Sequence, residues 1–123
     1  MANPITSATI SAGGNTSTSI PTPGTEMQLV AVLVPSGWTS NGLVLQGSFD
    51  GANFFPMFSS ASGAYVAYTA TQAAAGVIIC TRFDDFMGVN WIRFVSGTIS
   101  NGTITTGNQT NAVTLACQFR TLQ

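Results

Sequence analysis

The chain has 123 residues, enough for one domain with a modest core, and only 6% of them are charged, against roughly a quarter in soluble domains. Arg82, Arg93 and Arg120 are its only cations, Glu26, Asp50, Asp84 and Asp85 its only acids, and lysine and histidine are absent, for a net charge of -1. Three scattered arginines exclude a phosphate-neutralising nucleic-acid surface, and so little mutual repulsion favours an assembled or surface-docked protein over a freely diffusing monomer.

The N-terminal stretch MANPITSATI lacks a cationic start followed by an apolar run, so no secretory signal is expected. Residues 1–24 are rich in Thr, Ser, Gly, Asn and Pro, with one short alternating piece at Thr6 to Ile10. They read as an extended arm held by something outside its own domain, because polar termini stay loose unless tied down. Residues 25–123 read as a single domain. MQLVAVLVP (27–35) is apolar on nearly both faces, as in a central strand, and its apolar run is far too short for a membrane span of roughly 20 residues. GLVLQGSFDG then alternates, with Leu43, Leu45 and Phe49 on one face and Gln46, Ser48 and Asp50 on the other, and Asp50-Gly51 is a hairpin turn signal. The return NFFPMFS carries Pro56, which fits only an edge or a bulge.

AYVAYTA, AGVIICTRF, NWIRFVSG, TISNGTIT and NAVTLACQFRTL follow as further strands, the last with Val113, Leu115, Cys117 and Phe119 on one face. The expected fold is all-β: an antiparallel β-sandwich of about eight strands, with a jelly roll as one form and barrel closure as the competitor. Phe54, Phe55, Met57 and Phe58 cannot all face one way in a strand, so part of this set needs cover from a second sheet, a loop or a neighbouring subunit.

Chemistry has little to work with. Asp84-Asp85 is the one acidic pair and has no converging oxygen ligands in sequence, so no metal site is assigned and capping of the next turn is the simpler role. Ser and Thr hydroxyls have no His or Lys to activate them, and no glycine-rich strand-to-helix loop appears, so neither a catalytic residue nor a cofactor is assigned. Cys80 and Cys117 lie in apolar runs and read as core thiols, with a disulfide as the alternative. Asn15, Asn101 and Asn108 head formal glycosylation triplets that chance explains in so Asn- and Thr-rich a chain. Trp91 alternates within a strand and reads as core, whereas Trp38, after PSG, is the better candidate for contact with a ligand or partner.

The segments STSIPTPG, MQLVAVLVPSGWTSNGLVLQGSFDGANFFPMF, NWIRFVSGT and AVTLACQF resemble small virion proteins of tailed bacteriophages, of the head decoration, cement or minor capsid type. In that family an alternating strand reaches a Ser-x-Asp-Gly turn followed by an aromatic residue and a short return strand. Ser48-Phe49-Asp50-Gly51 and Phe54 or Phe55 stand at those places, and WIRFVSGT resembles the family's strand with an Arg followed by Ser-Gly-Thr. The loop SSASGAYVAYTATQAAAG and the lack of lysine depart from the pattern. The resemblance implies a β-sandwich without catalytic residues that binds the major capsid protein on the outer surface of an icosahedral shell, often as a homotrimer. Ile5, Ile10, Ile20, Trp38, Phe54, Phe55 and Met57 are the expected subunit or capsid interface. The competing readings are a receptor- or glycan-binding module of a head fibre or tail appendage, and a connector or tail structural protein.

Overall fold

The computed structural model describes residues 5–22, 27–86 and 88–121. Within them the chain is all-β, its strands being β1 (Ile5–Ile10), β2 (Ile20–Pro21), β3 (Met27–Leu33), β4 (Leu43–Ser48), β5 (Phe55–Pro56), β6 (Phe58–Ser59), β7 (Ala64–Tyr65), β8 (Ala67–Tyr68), β9 (Ile78–Cys80), β10 (Trp91–Ser100), β11 (Thr103–Thr106) and β12 (Val113–Thr121). A single 3-10 turn spans Phe83–Phe86. Pairing is antiparallel: one sheet runs β1-β12-β3-β9, and a second runs β11-β10-β4-β5 with β2 beside β10 and β8 beside β4. A small β6–β7 ribbon stands apart from both.

The two larger sheets feed one buried cluster. Ala8, Ile10, Leu29, Val32, Val113, Leu115, Cys117 and Phe119 come from the first sheet, and Leu43, Leu45, Ile92 and Phe94 from the second. Each large side chain among them contributes about 1.5–3 kcal/mol by leaving water. β12 follows the alternation of its sequence, whereas β3 buries Leu29 and Val32, which a regular strand would put on opposite faces. A β-bulge reconciles them: Leu29 lies opposite Phe119 and Ala31 opposite Gln118, leaving Val30 as the extra residue that resets the parity.

The N-terminal segment differs from the expected arm. β1 pairs with β12 along its length, from Ile5 opposite Gln118 to Ile10 opposite Val113. Further on, Ser17 N–H donates to the Phe94 carbonyl at 2.8 Å, Ser96 N–H donates to the Asn15 carbonyl at 2.7 Å, and β2 extends the same edge of β10. The physical reason is that Ala8, Ile10 and Ile20 supply inward side chains that the polar composition hid, and all three are buried. A domain boundary at residue 24 would therefore cut through shared sheets, while residues 1–4 and 23–24 of the expected arm lie outside the described residues.

Three other expectations shift. Phe49 is 76% exposed, because β4 ends at Ser48 and the next residue has left the strand. Trp38 is buried, its Nε1–H donating to the Asn41 carbonyl at 3.0 Å, so it packs inside the domain instead of projecting from a loop. Cys117 is buried as expected, but Cys80 is exposed, and the two thiols are unbonded.

Candidate binding cleft

The turn after β4 is built by side chains that bond their own main chain. Ser48 Oγ accepts the N–H of Gly51 at 2.9 Å, and Asp50 Oδ1 accepts the N–H groups of Ala52 and Asn53, both at 2.9 Å. Asn53 Nδ2 donates to the other carboxylate oxygen at 2.8 Å. The N–H of Asn53 first, then that of Ala52, then the Asn53 amide and the Ser48 hydroxyl hold the Asp50 carboxyl well below the usual carboxylate range. Gly51, at φ +80°, lies flat on Trp91, and a Cβ there would come within 2.8 Å of the indole. Asp50-Gly51 is thus a corner of a wider loop, since the first paired residues across it are Gly47 and Phe55. This fixed corner throws Phe49 outward.

On the return, the side chains of residues 54 to 58 divide. Phe54 is half-buried under Arg93, whose guanidinium carbon sits 4.4 Å from the ring centre while Nε–H donates to Gln46 Oε1 at 2.6 Å. Burial lowers the Arg93 pKa from its ordinary value. Met57 turns inward, whereas Phe55 and Phe58 are 65% and 58% exposed. Phe58 meets Tyr65 edge to face at 5.2 Å, which fixes its ring.

Between these rings lies a cleft of about 480 Å³ lined by Phe49, Phe55, Met57, Phe58, Val89 and Asp85, among others. Gly47 forms part of its wall, where a Cβ would meet Val89 Cγ1 at 2.7 Å and Met57 Sδ at 3.1 Å, so the main chain itself must line the space. Asp85 is the one charged residue among the described residues that line it. The neighbouring Asp84 pairs with Arg82 at 3.3 Å on the exposed surface, a contact of little energetic weight. Burial first, then the charge of Asp85, push the Tyr68 phenol above its ordinary pKa.

Such a site holds apolar groups. Its volume falls within the usual range for ligand sites, roughly 300–1,000 Å³, but among the described lining residues no second acid or base stands beside its carboxylate. No group of three or more His, Cys, Asp or Glu side chains occurs among the described residues.

Of the interface residues expected from sequence, the structure brings Phe55 and Met57 together at the cleft. Phe54 stacks away from it on Arg93, Ile5 is exposed on the other sheet, and Ile10, Ile20 and Trp38 are consumed by the chain's own core. Sequence reasoning missed Phe49 and Val89 as lining residues. The signal for Phe49 lay in Ser48 and Asp50, whose side chains cap a turn and end the strand before parity can carry Phe49 inward. Comparison with protein-family models, with curated proteins and with solved structures finds no match.

Proposed function

We propose that this chain is a structural virion protein that decorates an icosahedral bacteriophage capsid and cements its subunits, docking the major capsid protein through the cleft of Phe49, Phe55 and Phe58. The observation that carries the proposal is these three rings standing exposed together, Phe49 on the hydrogen-bonded turn and Phe55 and Phe58 on the return strands, in an almost uncharged chain. Monomers rarely leave such a patch open, and aromatic anchors of this kind dominate the energetics of interfaces. On this reading the two large sheets form a β-sandwich, the protein is not an enzyme, and it works on the outer face of the particle without a cofactor. No helix among the described residues is long and apolar enough to cross a membrane.

The proposed mechanism differs from an arm that invades a neighbour, since residues 5–22 pair within their own domain. Affinity comes from a shallow apolar anchor repeated by symmetry, which raises effective concentration over the shell. The glycan-binding alternative loses its leading aromatic with Trp38 buried.

Copy number and position on purified virions, by cryo-electron microscopy with quantitative stoichiometry, test the reading. Hundreds of copies over subunit junctions with the Phe49 face inward are expected, and a dozen at the tail or vertices would reject it. In the same assay, Phe55→Ala lowers affinity for the shell by about 30-fold or more, the cost of an interface hot spot of about 2 kcal/mol.

A further inference from the structure

We propose that β9 joins two copies of this chain edge to edge, about a two-fold axis at Ile79, so that two four-stranded sheets become one. β9 closes its sheet on one side. Its inward hydrogen bonds are set by Val34 N–H donating to the Val77 carbonyl at 2.9 Å and Thr81 N–H donating to the Val30 carbonyl at 3.0 Å, with Ile79 opposite Val32 between them. Antiparallel alternation therefore points the N–H and C=O groups of Ile78 and Cys80 away from the sheet, where no described residue pairs with them.

Main-chain groups along an edge select another strand as their occupant. Edges meant to stay single carry lysine, proline or an inward charge, and Ile-Ile-Cys carries none of these. The opposite edge is partly closed by the chain itself: Thr9 N–H donates to the Thr18 hydroxyl at 3.1 Å and Thr18 N–H to the Thr9 carbonyl at 3.0 Å.

Register and charge point to a second copy as that strand. The outward groups flank Ile79 symmetrically, so the two-fold axis sets Ile78 opposite Cys80 of the second copy, each meeting donors with acceptors in both directions. On the outer face the row Ala116, Leu33, Ile78 runs on into Cys80 and Ala31 of the second copy. Leu33 and Ile78, 42% and 62% exposed in the single chain, gain neutral neighbours along that row. The nearest charge along the chain is Arg82, two residues beyond the end of β9, so no charged side chain lies on the paired segment. Identical copies thus meet without like-charge repulsion, and nothing on the edge selects a partner of opposite charge.

The contact does not depend on the capsid reading, because it lies on the other sheet from the Phe49 cleft and is tested on free protein. Ile78→Cys is oxidised with diamide, which accepts the two electrons and two protons released as the thiols join. Ile78→Cys should form a disulfide dimer at least tenfold faster than wild type, since residues 78 and 80 face each other at roughly 5.5 Å, while the two native Cys80 residues stand farther apart than the roughly 7 Å a disulfide spans. Adding Cys80→Ser should abolish the link, and Cys117, buried, does not compete. Light scattering should find a pair for wild type and a monomer for Ile78→Lys, and the Tm of wild type, unlike that of the variant, should rise with protein concentration. A wild-type monomer at every concentration, or a pair in which Ile78→Cys fails to link through Cys80, overturns the proposal.

Discussion

Asp50 binds four hydrogens of its own turn, from Ser48, Ala52 and Asn53, so its negative charge is part of the corner that presents Phe49. Folding lowers this carboxyl's pKa, so the folded state holds its proton less tightly than the unfolded one. The stabilisation is whole above the ordinary value of 3.8 and is lost as pH falls from there toward the folded-state value. Melting wild type and Asp50→Asn between pH 7 and pH 2 should show wild type losing more Tm below about pH 4. Parallel curves would contradict the assignment. Gln109 works without charge: fully buried, it accepts the Thr39 N–H at 2.7 Å and donates to the Thr39 carbonyl and to Ser96 Oγ. Gln109→Leu strands those groups and should cost about 2–4 kcal/mol in chemical denaturation.

At the scale of elements, alternation served wherever a strand stayed regular. Leu43 and Leu45 and the inward face of β12 were readable because the period of two was unbroken, whereas Trp91, read as core, is only half-buried and lies on the opposite face of its strand from the fully buried Ile92 and Phe94. Alternation failed where main-chain geometry intervened. The bulge at Val30 shifts parity within one strand, and the capped corner at Ser48 ends another just before Phe49. Residues 5–22 misled through composition, since a few inward side chains and many main-chain bonds suffice to fix a polar segment. Ile10→Ala distinguishes these descriptions: an integral β1 makes it cost about 2–4 kcal/mol in a denaturant titration, whereas on a detached arm it would cost nothing.

For the molecule as a whole, scarcity of charge is the feature of the sequence from which assembly is proposed, and it does not say which surface would assemble. Half of the cleft was legible, since PMF had to split its side chains between faces and FF left a surplus. The other half depended on which way the 48–53 corner turned and on Val89, more than 30 positions away in sequence, which only the fold brings to Gly47. With few charges to screen, contacts made by these surfaces should be insensitive to salt. Raising sodium chloride from about 50 mM to about 500 mM should change self-association by less than about threefold, and a steep loss would mean that ion pairs, not apolar and main-chain contacts, hold the copies together.

The place of β12 between β1 and β3 also governs when the fold can form. A ribosome delivers β1 first and β12 after every other described strand, yet β1 has no other strand to pair with in its sheet. The nascent chain cannot pair β1 within this sheet until β12 emerges, and closing a loop that joins Ile5 to Gln118 makes this a slow, late step. Any product cut short before Val113 lacks the centre of a sheet, so translation that stops early yields chains for proteolysis instead of partly competent subunits that could enter an assembly.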